Sequence, residues 1–140
     1  MSRDVIITLG FEHDIDFTEI LDRLTRAGWE LLREEDSIWY MTDYDWKHLP
    51  LDGLAEMKRD MRVSYEAGEA VGITARLPDG ETFANVLFHE ERTSVSLIPL
   101  PDYHTIAHMP EFVDLGWYLG RFLAPLRNLP IVGTEASDQR

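Results

Sequence analysis

The sequence predicts an α+β fold, in which an antiparallel sheet of about five to six strands packs two to three helices on one face. Residues 71–98 carry short runs of alternating β-branched side chains, and the tight turns between them join antiparallel neighbours. Other segments repeat apolar residues at three- and four-residue steps, which is the spacing of one helical face. Such helices must bury their apolar stripe on a sheet, and 140 residues is an ordinary domain length. We therefore expect one α+β domain over residues 1–140.

The chain begins with a predicted strand and a predicted helix. Residues 4–11 are rich in β-branched side chains, as a strand requires. In the helix that follows, Asp16 stands three residues before Glu19, which is the spacing of a capping box. Gly28 is well placed to end this helix in a left-handed conformation. The apolar face of the helix consists of Phe17, Ile20, Leu21 and Leu24.

Two strands, a loop and a second helix are predicted next. Residues 29–33 and 37–42 hold bulky side chains suited to a pleated surface. Residues 44–50 are rich in aromatic and charged groups and are predicted to form a loop. From 52 to 67, large apolar residues recur at helical spacing, which indicates the second helix.

The second half of the chain predicts a meander of three strands, an irregular loop and a last helix. A Pro-Asp-Gly turn at 78–80 joins the first two strands of the meander. Residues 99–109 are predicted to form a proline-containing loop of a length that is uncommon and often either functional or disordered. Pro110 suits the first position of a helix that Pro125 should kink or end, and the polar tail 135–140 is expected to fray. The three strands are 71–77, 82–89 and 93–98.

Charge and composition exclude several classes of function. The chain has 26 Asp and Glu against 13 Lys and Arg, a formal charge of −13, so it repels nucleic-acid phosphates and anionic lipid. It has no cysteine, which excludes disulfides, thiolate metal sites and cysteine nucleophiles. No signal peptide and no stretch of roughly 18 apolar residues is present, so we expect a cytoplasmic protein. The negative charge favours a basic protein partner, although it also aids solubility.

No motif predicts a catalytic residue, a metal or a cofactor. His104 and His108 have the spacing of two metal ligands on one helix face, but they lie in the predicted loop and lack a recognisable third ligand. His89 precedes Glu90 and Glu91 and could act as a general base, yet polar residues are ordinary at the end of a hairpin. There is no Gly-x-Ser-x-Gly motif and no Gly-rich phosphate loop. We therefore expect a non-catalytic protein without a cofactor.

Residues 34–46 are the most unusual stretch, because acidic and large aromatic side chains are mixed there. Trp and Tyr are favoured anchors of protein interfaces, and carboxylates complement Lys and Arg. The alternative is that Trp39 is a core residue and the acidic side chains are solvated turn positions. The functional interpretation predicts a partner-binding surface that consists of Glu34, Glu35, Asp36, Asp43, Tyr44, Asp45 and Trp46.

This stretch and the apolar segment FVDLGWYLGRFLAPL at 112–126 give the chain a general resemblance to bacterial immunity proteins of polymorphic toxin systems. Those proteins are commonly small, cytoplasmic, acidic α+β domains, and the resemblance implies that the chain neutralises a basic toxin without catalysis. The chain is also similar to secretion chaperones in its size, its charge and its mixture of helices and strands, although these chaperones usually begin with a helix. A third hypothesis is a small-molecule-binding domain or enzyme, with a pocket faced by Tyr103, His104 and His108 of the 99–109 loop.

Overall fold

The structure is a computed structural model that describes residues 3–33 and 36–139. Within these residues the helices are α1 (Phe17–Arg26), α2 (Leu54–Glu66) and α3 (Leu115–Leu123), with 3₁₀ turns at Leu51–Gly53 and Ala124–Leu126. The strands are β1 (Asp4–Phe11), β2 (Ser37–Thr42), β3 (Asp45–Pro50), β4 (Val71–Arg76), β5 (Phe83–Phe88), β6 (Ser94–Pro99), β7 (Thr105–Ile106), β8 (Met109–Val113) and β9 (Ile131–Gln139).

Seven of these strands form one sheet in the order β3-β2-β4-β5-β6-β1-β9. Every neighbouring pair is antiparallel. The remaining strands, β7 and β8, pair with each other as a separate ribbon. The predicted α+β class and antiparallel sheet are confirmed, and the sheet is wider than the five to six strands expected.

The helices share a single core with one face of the sheet. Side chains alternate along each strand, so on β1 Val5, Ile7 and Leu9 are buried whereas Ile6 and Thr8 point to the other side. The buried side chains of all three helices join the first set in one apolar cluster. The cluster does not include the second set. We call the side of the sheet that carries Ile6 and Thr8 the open face.

The first helix shows how local sequence and packing agree. Asp16 accepts a hydrogen bond from the Thr18 backbone N–H at 2.9 Å, and Arg62 of α2 donates to the same carboxylate at 2.8 Å. Partial burial opposes ionisation of Asp16, but the hydrogen bonds from Arg62 and Thr18 outweigh it and hold its pKa below the usual value. Glu19 bonds to Arg23 instead of completing the capping box. Gly28 ends the helix region with a φ of 98°, the left-handed conformation predicted from the sequence.

Two predictions in the first half of the chain are wrong. Residues 29–33 are not a strand, because only single bridges join Glu30 to Arg76 and Arg33 to Ser37. Residues 45–50 were predicted as loop but form β3, since a two-residue turn reverses the chain directly onto β2. As an edge strand, β3 needs only one pairing partner, which suits its charged residues and terminal proline.

The C-terminal quarter also differs from the prediction. The last helix begins at Leu115 and not at Pro110, because Asp114 caps it by accepting the Trp117 N–H at 3.0 Å. Residues before it pair as β7 and β8. The helix ends at Leu123, ahead of Pro125 as predicted. The tail that was expected to fray belongs to β9, which pairs with β1 along the edge of the sheet.

Candidate functional site

The β2–β3 hairpin separates the acidic residues that the sequence grouped together. Asp36 precedes β2, whereas Asp43 and Tyr44 form the turn at the far end of this six-residue strand, about 20 Å away. Glu34 and Glu35 lie outside the described residues. Among the described residues of the predicted partner-binding surface, Asp43 to Trp46 lie together, whereas Asp36 lies apart from them.

Tyr44 occupies an unusual backbone conformation at the tip of this turn. Asp43 and Tyr44 have φ values of 50° and 66°, the left-handed region that a two-residue type I′ hairpin requires. Glycine is the usual second residue of such a turn, because a side chain there costs roughly 1–2 kcal/mol. Here the position holds Tyr, and its side chain is 63% exposed. The turn therefore carries backbone strain while it presents a large aromatic group to solvent.

Three connections bring four carboxylates to this turn. Asp43 belongs to the β2–β3 turn, Glu69 to the loop before β4, and Glu90 and Glu91 to the β5–β6 turn. The Tyr44 hydroxyl donates to Glu90 Oε1 at 2.5 Å. The Asp43 backbone N–H bonds to the loop before β4 at 2.9 Å, so all three connections are tied together. We call Asp43, Tyr44, Glu69, Glu90 and Glu91 the acidic end of the sheet.

The carboxylates of the acidic end repel one another. The negative charge of Glu69, partial desolvation, a side-chain hydrogen bond with Glu69 and the charge of Glu90 together raise the pKa of Asp43. The pKa of Tyr44 is raised chiefly by the hydrogen bond from its hydroxyl to Glu90. Within the described residues, no Lys or Arg forms an ion pair with these four carboxylates. The acidic end therefore holds negative charge that these residues do not neutralise by direct pairing.

Arg92 is adjacent to Glu91 in sequence but points to a different part of the molecule. Its guanidinium lies 4.8 Å from the centroid of the Tyr65 ring and donates a hydrogen bond to the Tyr65 carbonyl. Its backbone N–H closes the β5–β6 turn onto the His89 carbonyl at 3.1 Å. Arg92 therefore braces the turn against α2 and leaves the neighbouring carboxylates available for other contacts.

Trp46 extends the site from the turn onto the open face. It lies opposite Met41 of β2 and is 39% exposed. Trp39 is half-buried on the same face and is not part of the core cluster, contrary to the alternative expectation. Asp45 begins β3 and is exposed. The two tryptophans border a depression of about 150 Å³ whose other walls are Arg33, Thr74 and Asn85.

His89 belongs to a chain of hydrogen bonds and not to an accessible catalytic pair. Its Nε2 lies 2.6 Å from the Ser96 hydroxyl, which in turn lies 2.7 Å from the Thr8 hydroxyl. Ser96 is fully buried, so a substrate cannot reach its Oγ. Glu90, one of the two neighbouring carboxylates that could orient a basic His89, is hydrogen-bonded to Tyr44. The geometry therefore supports a structural role for this chain.

The two histidines of the 99–109 loop do not face a shared pocket. His104 is exposed and stacks on Trp117 with 4.1 Å between ring centroids, and His108 is an exposed turn residue with a φ of 69°. Tyr103 borders a concavity of about 210 Å³ that is also lined by Arg3, Ile98 and Pro99. That volume is below the roughly 300–1,000 Å³ of most ligand sites.

The carboxylates Glu69, Glu90 and Glu91 belong to the acidic end, but the sequence prediction did not include them. They are far from Tyr44 along the chain and reach it because β4 and β5 follow β2 in the sheet. The predicted meander placed Glu90 and Glu91 in a turn, and this turn was the sequence feature that could have indicated their place in the site. Without the strand order, that turn could not be assigned to the same end as Tyr44.

Metal binding, membrane crossing and similarity to known proteins give no further assignment. Among residues 3–33 and 36–139, no three His, Asp or Glu side chains are grouped to hold a metal ion. No helix in this described part of the chain has the length and apolar character needed to cross a membrane. Comparisons with models of protein families, with curated proteins and with solved structures found no match. Function is therefore inferred from the side chains themselves.

Replacing Asp43 by asparagine is expected to raise the free energy of unfolding at neutral pH. Because the pKa of Asp43 is raised in the folded chain, that state binds the proton more tightly than the unfolded chain does. The stabilising contribution of this group is present at low pH and is lost as the pH rises from the ordinary value of 3.8 through the raised pKa. The advantage of the variant should therefore shrink as the pH falls below 3.8.

Urea unfolding at about pH 7 and about pH 3 measures this difference. Asparagine also suits the turn itself, so only the pH-dependent part of the gain reports on charge repulsion. Glu81→Gln is the matched control, because it removes one charge from an exposed position at the opposite end of the sheet. An Asp43→Asn gain of the same size at both pH values would contradict the repulsion.

Proposed function

We propose that this protein is a non-catalytic, cytoplasmic protein-binding module whose acidic end docks a basic protein partner. The observation that carries the proposal is Tyr44, an exposed aromatic residue in a left-handed turn position among four carboxylates that lack a Lys or Arg partner in the described chain. A residue that breaks the local rule of its turn is expected at functional sites, where strain is retained for recognition.

The acidic end offers two kinds of contact to a partner. The ring of Tyr44 supplies apolar area and a hydroxyl, the combination favoured in interface hot spots. Asp43, Glu69 and Glu90 supply carboxylates that can accept hydrogen bonds from a guanidinium or an ammonium group. A cation among them would convert the repulsion that raises the pKa of Asp43 into attraction. The depression beside Trp46 can receive a neighbouring side chain of the same partner.

The specific form that we propose is an immunity protein that neutralises a basic toxin domain. Its support is the general resemblance noted from the sequence, together with the formal charge of −13. Electrostatic steering raises association rates from about 10⁵–10⁶ to about 10⁸–10⁹ M⁻¹ s⁻¹ at low salt. Fast association suits a protector that must bind a toxin before the toxin acts.

The proposal is tested by immobilising three versions of the chain and comparing the proteins that each one captures from a cytoplasmic extract. The first is the unaltered chain, and the second has the acidic end neutralised by Asp43→Asn, Glu90→Gln and Glu91→Gln. The third, with the same net charge as the second, carries three neutralised acids elsewhere on the surface: Asp52→Asn, Glu81→Gln and Asp102→Asn. We expect a basic protein on the first and third supports, reduced about tenfold or more on the second.

The outcomes distinguish docking at the acidic end from the immunity function. If all three supports retain the same proteins in the same amounts, the acidic end is not the docking surface. If the acidic end is required but the captured protein does not impair growth when expressed alone, the immunity function is wrong and docking is retained. Growth impairment that co-expression of the unaltered chain relieves, and the neutralised variant does not, is the expected result.

A further inference from the structure

A cleft of about 370 Å³ lies at the end of the sheet opposite to the acidic end, because it is bordered by the β4–β5 turn and not by the β5–β6 turn. The end of α1 and the segment that follows α3 form its other sides. Its volume is within the roughly 300–1,000 Å³ of most ligand sites, unlike that of the concavity beside Tyr103. Its apolar lining residues are Ala27, Trp29, Pro78, Ala124 and Pro125.

The walls of the cleft are fixed by contacts that do not involve a ligand. The Trp29 ring packs against Phe122 of α3 with 6.3 Å between ring centroids. The next residue, Glu30, exchanges two backbone hydrogen bonds of 2.9 and 2.8 Å with Arg76, at the end of β4 just before Pro78. A site whose walls are already in place loses less conformational freedom when it binds a ligand.

The indole N–H of Trp29 is a donor that has no acceptor in the described part of the chain. Trp29 is only 1% exposed, and its indole N–H makes no hydrogen bond there, whereas that of Trp39 donates to Ser37 at 2.8 Å. Among the same residues, every side-chain N or O atom that is sealed from solvent has a hydrogen-bond partner. The Trp29 N–H is therefore not sealed, and the cleft is the concavity that Trp29 lines. It offers one donor to an acceptor atom inside the cleft.

Two arginines, Arg121 and Arg127, give the cleft a positive charge. Both are exposed, and neither forms an ion pair within residues 3–33 and 36–139. The Arg121 guanidinium lies 3.9 Å from the centroid of the Trp117 ring and donates to the Trp117 carbonyl at 3.3 Å, so its position is held. Asp79 interacts electrostatically with Arg121, but its oxygens already accept hydrogen bonds within the β4–β5 turn. The two guanidinium groups can therefore bind an anion.

We propose that this cleft binds a small aromatic carboxylate. Arg121 and Arg127 hold the carboxylate, since guanidinium groups match its geometry. The flat apolar body packs on the rings of Pro78 and Pro125, and the Trp29 N–H donates to an oxygen of the ligand. An inorganic anion would leave the apolar walls uncovered, and a neutral hydrocarbon would leave three donor groups without an acceptor. The lining thus selects a ligand that is both anionic and apolar.

The cleft and the acidic end are independent of each other. They lie at opposite ends of the sheet and attract ligands of opposite charge. Ligand binding at the cleft does not depend on the docking of a basic partner, and failure of one leaves the other untouched.

The proposal is tested by titrating 2-naphthoate into the ¹⁵N-labelled full chain and following the indole N–H signals of its four tryptophans by NMR. We expect the Trp29 signal to move with a Kd of about 1 mM or below, whereas the signal of Trp39, which is already bonded to Ser37, stays in place. The neutral isostere 2-naphthamide should bind about tenfold more weakly, because it cannot form charge-assisted hydrogen bonds with the arginines. Acetate and inorganic phosphate should also bind at least about tenfold more weakly, because they lack the apolar body.

Substitutions in the chain show whether the arginines act at the cleft or through the overall charge. Arg121→Met and Arg127→Met should each weaken 2-naphthoate several-fold and reduce its preference over 2-naphthamide. Arg59→Met is the matched control, because it removes the same charge from an exposed position of α2 and should leave binding unchanged. Trp29→Phe identifies the Trp29 signal by its loss, and triple-resonance assignment identifies it if that variant does not fold.

Three results would overturn the proposal. The first is a Trp29 signal that does not move at about 10 mM 2-naphthoate. The second is movement confined to the signals of Trp39 or Trp46, which would place binding on the open face. The third is equal binding of 2-naphthoate and 2-naphthamide, or an equal loss for Arg59→Met and Arg127→Met, because either would show that the arginines of the cleft do not select the anion.

Discussion

Phe17→Ala is expected to lower the free energy of unfolding by about 3–5 kcal/mol. Phe17 is fully buried at the start of α1. Its ring centroid lies 5.2 Å from that of Tyr65 on α2 and 5.9 Å from that of Phe88 on β5. Removal of the ring opens a cavity where two helices meet the sheet and also loses two edge-to-face contacts. Domains are stable by roughly 5–15 kcal/mol, so this is a large fraction of the total.

Urea unfolding followed by tryptophan fluorescence measures this loss. Val63→Ala is the matched control, because Val63 lies on α2 with 71% of its side chain exposed. Its effect should stay within about 0.5 kcal/mol. A loss below about 1 kcal/mol for Phe17→Ala would show that the helices and the sheet do not share the core described here.

Tyr44→Gly is expected to weaken binding of the basic partner about 30-fold or more while the fold is retained. Tyr44 is the exposed aromatic group of the acidic end, and loss of an interface hot spot costs about 2 kcal/mol or more, which corresponds to that factor. Glycine at this position relieves the left-handed strain and creates an Asp-Gly turn, the favoured type I′ pair. The free energy of unfolding should therefore stay the same or rise by up to about 1 kcal/mol.

Titration calorimetry with the partner and urea unfolding of the variant alone give the two quantities. Tyr44→Phe is the control, because it keeps the ring and removes only the hydroxyl that bonds to Glu90. It should weaken binding by only a few-fold. Unchanged affinity for Tyr44→Gly would show that the ring at the tip of the hairpin does not contact the partner.

The parts of the fold that the sequence predicted are those with a strong apolar pattern. β1 and β5 alternate buried with less buried positions, β4 and β6 are mostly buried, and α1 concentrates its apolar residues on one face. β3 and β9 were missed because edge strands pair on one side only and need no such alternation. The segment 29–33 has the composition of a strand, but Trp29 packs its ring against Phe122 of α3 and the backbone makes only isolated bridges.

The candidate site was also only partly predictable from the sequence. Tyr44 and Trp46 fall in the segment predicted as loop, which made them the aromatic residues of this stretch least expected in the core; both are exposed in the structure, although Trp46 lies in β3. The turn at Asp43 and Tyr44 lacks the glycine that usually marks a two-residue hairpin, so its position could not be recognised. Without the turn, Asp36 could not be placed at the opposite end of the hairpin, and Glu69 could not be placed beside Asp43.

The most direct test of docking at the acidic end is the association rate constant of the basic partner between about 0.05 and about 0.5 M salt. We expect a fall of about tenfold or more across this range for the unaltered chain and for the Asp52→Asn, Glu81→Gln, Asp102→Asn control. The variant neutralised at Asp43, Glu90 and Glu91 should start slower and change much less. Parallel salt curves for all three proteins would contradict the assignment of this surface.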